Sequence, residues 1–159
     1  MTYKTNRLIV SLIAGIALLV IYIFYATGSS APVDTDLASW AKLMFKFIVI
    51  GVVSQIIIQI IFHIVYAISI GVKNGGTEDR NVERTIESSS IEDEMDKLIS
   101  LKSNVPGLTC LGLGLLIALV AVAYFECTAV LMLNIIFISA FVSMLADASA
   151  SIYYYHKGV

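Results

Sequence analysis

The sequence predicts an all-α integral membrane protein, a four-helix bundle with both termini in the cytoplasm. Four uncharged apolar runs recur along the 159 residues. Each run is long enough, at about 1.5 Å per helical residue, to cross a hydrocarbon core about 30 Å thick. None of them alternates apolar with polar residues, which excludes barrel strands. Lys and Arg also collect on one side of the topology that these runs define.

The composition predicts one transmembrane domain over residues 1–159. Hydrophobic residues make up 58% of the chain and charged residues only 14%, so little sequence is left for a separate soluble domain. The longest polar stretch is the central loop 73–104. The formal net charge of −2 offers no basic surface for nucleic acid, and the expected surroundings are the lipid bilayer.

The first span is predicted at Leu8–Ala26. Lys4 and Arg7 precede it and resemble the basic start of a signal peptide. The uncharged stretch nevertheless exceeds the usual signal-peptide core of about 7–15 residues. We therefore expect a retained membrane anchor.

The second span is predicted at Phe47–Val72, and the segment before it has two possible arrangements. Asp36 has the chemistry of a helix cap. Leu37, Trp40 and Met44 share one face of the helix that would follow. The segment from Asp36 onward either lies along the membrane surface or extends the second span outward.

A short amphipathic cytoplasmic helix is predicted before the third span. Ser90–Asp93 matches a capping box. The apolar residues that follow recur at helical spacing, and they are Ile91, Met95, Leu98 and Ile99. This stripe either lies against the bundle and the lipid headgroups or docks a soluble partner.

Pro106 predicts where this short helix ends and the third span, Val105–Phe125, begins. A residue that precedes proline is biased out of the helical region, so the amphipathic helix is expected to end near Asn104. Pro106 would then be the first residue of the next helix.

The third and fourth spans are predicted to be antiparallel neighbours. The fourth apolar run is Thr128–Ala146, with the helix continuing to about residue 152, so only Glu126 and Cys127 remain for the turn. Small residues recur on one face of the third span, at Cys110, Gly114 and Ala118, and allow close helix packing. Such a face favours a homo-oligomer or a larger membrane assembly.

Basic residues predict the orientation in a cytoplasmic (inner) membrane. Eight of them fall on the side that holds both termini and the central loop: Lys4, Arg7, Lys73, Arg80, Arg84, Lys97, Lys102 and Lys157. The opposite side has Lys42 and Lys46. The positive-inside rule then places both termini in the cytoplasm. Four aromatic residues fall at the predicted outer interface, where amphipathic rings are favoured: Tyr22, Tyr25, Trp40 and Tyr124.

Two polar stripes are the candidate intramembrane site. Gln55, Gln59 and His63 recur every four residues and share one face of the second span. Polar groups facing lipid are costly, so this face is expected to point into the bundle or towards a partner subunit.

The fourth span carries the second stripe, Ser139, Ser143, Asp147 and Ser151. We expect His63 and Asp147 to approach each other inside the bundle, directly or through water. The stripes could supply interhelical hydrogen bonds, a proton or ion pathway, or a ligand site. One His and one Asp are too few ligands for a convincing metal site.

No enzyme chemistry is predicted. The sequence has no Walker A motif, no G-x-S-x-G and no H-E-x-x-H, and no catalytic residues are assigned. A single deep His does not supply paired haem ligands, and no cofactor is expected. Cys110 and Cys127 lie roughly 25 Å apart along a helix and cannot pair.

The segment 93–104, which leads into the Gly-rich third span, resembles a pattern of small four-span prokaryotic membrane proteins. The ending 153–159, an aromatic run followed by basic residues and Gly, is similar to theirs, with His156 where Arg is usual. Together these motifs cover about half the chain. That family is known only as a predicted membrane protein, or domain of unknown function, whose genes often lie near helix-turn-helix regulators. The resemblance implies an accessory or regulatory role and transfers no catalytic residues.

The functional expectation is a non-enzymatic accessory or regulatory subunit that acts through helix–helix and cytoplasmic-loop contacts. The alternative is a small proton- or ion-coupled transporter that uses the two polar stripes. The transporter requires a water-accessible cavity at His63, whereas the accessory role requires exposed apolar residues on the helix before the third span.

Overall fold

Four long helices make up the fold in the computed structural model, which describes residues 3–29, 31–33, 36–73 and 94–157. Within these ranges the helices are α1 (Tyr3–Thr27), α2 (Leu37–Lys73), α3 (Glu94–Phe125) and α4 (Ala129–Lys157). Each is long and apolar enough to cross a membrane. The prediction of four long apolar helices is confirmed, and it is the architecture of a multi-pass membrane protein.

The start of α2 decides between the two arrangements of the segment before the second span. Asp36 caps the helix: its Oδ1 accepts a hydrogen bond from the Ser39 backbone N at 3.0 Å, and its Oδ2 accepts one from Ser39 Oγ at 2.6 Å. The hydrogen bonds from Ser39 hold the pKa of the Asp36 carboxyl below its ordinary value. From Leu37 the helix continues without a break to Lys73, so this segment extends the second span.

The predicted break before Pro106 is wrong. One helix runs from Glu94 to Phe125 with Pro106 inside it, so Pro106 is not the first residue of a span. The buried residues of this helix are Ile99, Ser103, Gly107, Gly114 and Ala118. The buried face therefore begins before the proline and continues after it. Packing of both halves outweighs the cost of about 3 kcal/mol that proline carries in a helix interior.

The capping box Ser90–Asp93 and the apolar residue Ile91 lie outside the described residues. The described part of the predicted amphipathic helix, from Glu94 onward, forms the first turns of α3 and is not a separate element.

The α3–α4 hairpin is the most extensive interhelical contact of the described residues, and its tight turn is confirmed. The turn occupies 126–128, and Glu126 adopts the left-handed conformation with φ of 50°. Thr128 then caps the N-terminus of α4, because its Oγ1 accepts a hydrogen bond from the Leu131 backbone N at 3.3 Å.

Small residues let α3 and α4 approach closely. A Cβ added at Gly114 would overlap the hydroxyl of Ser139, and one added at Gly107 would lie 3.1 Å from the Ser143 carbonyl oxygen. Ser143 Oγ donates a hydrogen bond of 2.7 Å to the Gly107 carbonyl oxygen across the same contact. The small-residue face of the third span therefore packs against α4 within one chain.

An aromatic core closes one end of the bundle, where α1, α2 and α4 converge. Its buried residues are Tyr22, Trp40, Met44, Phe47, Val130 and Phe137. The Tyr22 ring lies 5.1 Å from that of Phe47 and 4.6 Å from that of Phe137, between centroids. Tyr22 and Trp40, expected at the lipid interface, are instead enclosed by neighbouring helices.

The opposite end of the bundle is more open. The buried side chains of α2 are Trp40, Met44 and Phe47, and from Ile48 to Ile68 no described side chain of this helix is buried. The helix is packed tightly at the aromatic core and loosely near Gln59 and His63.

The pair Gly114→Ala and Gly112→Ala tests the close approach of α3 and α4. Gly114→Ala should lower the free energy of unfolding by about 1–3 kcal/mol, because the new methyl group overlaps Ser139. Gly112→Ala meets nothing within 4 Å and should be neutral or slightly stabilising. Thermal unfolding in detergent, followed by circular dichroism, measures both. Equal midpoints for the two variants would contradict this helix contact.

Candidate functional site

A cavity of about 450 Å³ lies at the open end of the bundle, and all four helices contribute to its wall. We call it the polar cavity. Its ionisable lining residues are Lys4, Arg7, His63, Asp96, Asp147 and Tyr155. The uncharged polar residues Gln59, Ser11, Ser100, Ser103 and Ser151 complete the polar part of the wall.

Asp96 joins three helices at this cavity. Its Oδ2 pairs with the Lys4 ammonium group of α1, and its Oδ1 accepts a hydrogen bond of 2.6 Å from the Tyr155 hydroxyl of α4. The Asp96 side chain is only 11% exposed, so these two partners compensate a carboxylate that is largely removed from water.

Polar side chains also join α1 to α2. Ser11 Oγ donates to Gln55 Oε1 at 2.8 Å, and Gln55 Nε2 donates back to the Ser11 carbonyl oxygen at 3.3 Å. Arg7 Nη2 donates to Gln59 Oε1 at 2.8 Å. Gln55 is half-buried, whereas Gln59 and Arg7 remain exposed at the edge of the cavity.

His63 and Asp147 both line the polar cavity, on α2 and α4 respectively. Asp147 is half-buried, and its Cβ lies 3.2 Å from the position of a Cβ added at Gly107. The two residues that the sequence singled out as a pair thus share one cavity. No direct bond between them is found among the described contacts.

The serine stripe of α4 divides into two parts. Ser139 Oγ donates to the Ile135 carbonyl oxygen of its own helix at 2.6 Å, and Ser143 Oγ donates to Gly107 on α3. These two hydroxyls serve helix packing. Asp147 and Ser151, one and two turns further on, reach the cavity.

The apolar stripe before the third span divides as well. Ile99 is 1% exposed and lines the polar cavity, whereas Met95 is 42% and Leu98 51% exposed. Of the three described residues of this stripe, only Ile99 packs inside the bundle, and Met95 and Leu98 remain on the surface.

Sequence reasoning missed several residues of the polar cavity. The sequence patterns assign Lys4 only to the basic N-terminal segment, and none of them assigns Asp96, Ser103 or Tyr155 to the site. A useful signal was available, because Asp96 and Ser103 share the buried face of α3 with Ile99 at spacings of three and four residues.

A second cavity of about 460 Å³ lies beside the aromatic core, and we call it the core-end cavity. Within it the Tyr22 hydroxyl donates to Asn134 Oδ1 at 2.6 Å, and Asn134 Nδ2 donates to the Val130 carbonyl oxygen at 2.9 Å. The Trp40 side chain also lines this cavity, and its Nε1 is buried.

Among the described residues, no group of three or more His, Cys, Asp or Glu side chains could hold a metal ion. Cys110 and Cys127 are free thiols.

The fold and its two cavities define a class, a four-helix multi-pass membrane protein with an ionisable cavity at one end. Comparison with protein-family models, with curated proteins and with solved structures finds no match to the chain. Functional assignment therefore depends on the geometry described above.

Tyr155→Phe tests the hydrogen bond that joins α4 to Asp96 of α3. The loss of one hydrogen bond to a partly buried carboxylate should lower the free energy of unfolding by about 1–2 kcal/mol. Tyr153→Phe is the matched control, because Tyr153 is 57% exposed. Unfolding in detergent is compared for both variants. A Tyr155→Phe midpoint equal to that of Tyr153→Phe would contradict a stabilising role for this bond.

Proposed function

We propose that this chain is a non-enzymatic accessory or regulatory subunit of a membrane assembly, with both termini in the cytoplasm. It acts through contacts that the first turns of α3 and the open edge of α2 make with another protein or with a second copy. The orientation is supported by the distribution of Lys and Arg along the sequence.

The observation that carries this proposal is the exposed apolar surface at the start of α3. This helix has 32 residues, which is roughly 48 Å of length against about 30 Å of hydrocarbon. Lys97 and Lys102 are exposed, and charged side chains are costly in hydrocarbon, so this part of α3 belongs outside the membrane.

Apolar side chains in that projecting part have no lipid tails to contact. Leu98 is 51% exposed and Leu101 is 69% exposed, between the two exposed lysines. Contiguous apolar surface outside the hydrocarbon is typical of a protein–protein contact. The flanking lysines would favour a partner with acidic residues around an apolar centre.

The open edge of α2 supports the same role within the membrane. A groove of about 300 Å³ is lined by Arg7, Gln59, Ile60, His63 and Ile64. Polar side chains at membrane depth are usually covered by protein or water, because lipid tails offer them no hydrogen bonds. A helix of a partner subunit packed here would cover them.

Replacing both exposed leucines, Leu98→Ser with Leu101→Ser, tests the contact. Complete burial of a leucine contributes about 1.5–3 kcal/mol, so the double variant should weaken the assembly at least about tenfold. Mass measurement of the intact assembly, taken from native membrane into lipid nanodiscs, gives the result.

Asn104→Ser is the control, since it changes an exposed polar residue of the same helix outside the proposed surface and should leave the assembly intact. An intact mass equal to one chain for the wild-type protein would contradict the proposal. Full retention of the assembly by the double variant would contradict this surface as the contact.

A small proton- or ion-coupled carrier is the second candidate function, and the polar cavity is the observation that favours it. The cavity reaches from the open end of the bundle to Asp147, and His63 lies on its wall. A half-buried carboxylate in a polar cavity is the usual feature of an intramembrane proton or cation site.

Asp147→Asn tests the carrier in liposomes that enclose a pH-sensitive dye and are given a pH or sodium gradient. The wild-type chain should move protons faster than empty liposomes, and Asp147→Asn should lower this flux at least tenfold. Glu126→Gln, at the other end of the bundle, should leave it unchanged. Wild-type flux equal to that of empty liposomes would exclude this function.

A further inference from the structure

Two charged groups in the wall of the polar cavity lack a partner of opposite charge. Arg7 of α1 and Asp147 of α4 both line this cavity, but no ion pair among the described residues joins them or includes either one. Lys4 and Asp96, in contrast, pair with each other. A charged side chain in a largely apolar bundle is compensated by water or by an opposite charge. A ligand that supplies both opposite charges would therefore bind favourably here.

The Arg7 guanidinium has hydrogen-bond donors to spare. Arg7 is exposed at the edge of the cavity, and its Nη2 donates to a neutral acceptor, Gln59 Oε1, at 2.8 Å. A guanidinium carries five N–H donors in a planar fork that matches the two oxygens of a carboxylate. The remaining donors of Arg7 therefore suit the carboxylate group of a ligand.

Asp147 and Ser151 offer acceptors from α4. Both line the polar cavity, and neither side chain has a hydrogen-bond partner among the described residues. Side chains four residues apart on a helix are neighbours, with about 5–6 Å between their Cβ atoms. An ammonium group has three N–H donors and can bond to a carboxylate and a hydroxyl together. This part of the wall therefore suits the ammonium group of a ligand.

The opposite charges of Arg7 and Asp147 favour a ligand with no net charge. A simple anion at Arg7 would leave the Asp147 carboxylate uncompensated, and a simple cation at Asp147 would leave Arg7 uncompensated. A molecule that carries both a carboxylate and an ammonium group compensates both. The cavity volume of about 450 Å³ is in the range of small-molecule sites, and Leu8 and Ile99 provide apolar wall for a carbon skeleton.

We propose that the polar cavity binds a small zwitterion of the amino acid class. Its carboxylate accepts hydrogen bonds from the Arg7 guanidinium, and its ammonium group donates to the Asp147 carboxylate and the Ser151 hydroxyl. A primary ammonium fits better than a quaternary one, because the described wall has one tyrosine ring, Tyr155, rather than a cage of aromatic rings. The proposal names the substrate class of the carrier described above and rests on that function for its biological use.

Binding of labelled amino acids to the full-length chain in nanodiscs tests the site. A mixture of the 14C-labelled protein amino acids is dialysed to equilibrium against nanodiscs with and without the protein, and chromatography identifies what is retained. At least one amino acid should be retained above the level of empty nanodiscs, and the same unlabelled amino acid should displace it. Retention of none of them overturns the proposal.

Two analogues of the retained amino acid test the two ends of the ligand on the wild-type chain. The methyl ester lacks the charged carboxylate, and the N-acetyl derivative lacks the ammonium group. Each should compete at least about tenfold more weakly than the parent amino acid, because each loses one charge-assisted contact. Competition by either analogue as strong as that of the parent overturns recognition of both ends.

Arg7→Gln and Asp147→Asn assign each end to its residue. Arg7→Gln should remove the discrimination against the methyl ester alone, and Asp147→Asn should remove the discrimination against the N-acetyl derivative alone. Lys42→Gln and Glu126→Gln change exposed charges at the other end of the bundle and should keep both preferences. Site variants that are folded by circular dichroism and keep both preferences overturn the assignment. If a site variant does not fold, the analogue comparison on the wild-type chain decides.

Equilibrium binding needs neither a gradient nor a partner subunit, so its result is separate from those of the flux and assembly measurements. Proton flux without amino acid binding would leave the carrier and overturn the ligand proposed here. Amino acid binding without proton flux would exclude the proton-coupled carrier and support the ligand site.

Discussion

The close contact between α3 and α4 is the constraint on which the rest of the structure depends. Gly107 and Gly114 bring the two backbones together, and the Ser143 hydroxyl bonds across the contact. Because this buried face starts at Ile99 and continues past Pro106, it holds α3 as one helix where local preference predicts a break. In a lipid environment, where apolar burial drives association weakly, such close backbone approach is what holds helices together.

The remaining helices pack onto this hairpin unequally, and that inequality creates the two cavities. Aromatic rings of Tyr22, Phe47 and Phe137 fill one end, so α1 and α2 are held firmly there. At the other end polar bonds, such as that of Arg7 with Gln59, replace apolar packing. The bundle consequently has an ionisable cavity at the open end and a largely apolar cavity beside the aromatic core.

The candidate site was predictable only in part. The spacing of Gln59 and His63, and the carboxylate Asp147 directly after an apolar run, indicated three residues that the structure places on one cavity wall. Lys4, Asp96 and Tyr155 were not assigned, because their association joins positions 59 and more residues apart in sequence. The spacing of the serines in α4 did not predict that Ser139 and Ser143 serve helix packing. Periodicity identifies the face that residues share on one helix, but it does not identify the helix that packs against that face.

The sequence by itself determined four long apolar helices, the tight turn at Glu126 and the cap at Asp36, because these follow from local composition, chain length and nearest-neighbour hydrogen bonds. Only the tertiary structure decided that α3 passes through Pro106 and that Trp40 is enclosed rather than facing the headgroups. Both outcomes depend on which helix lies opposite, and the pairing of helices is a property of shapes brought together from distant parts of the chain. The pairing of helices also leaves Trp40 Nε1 buried beside the core-end cavity, and no local pattern of residues predicts this.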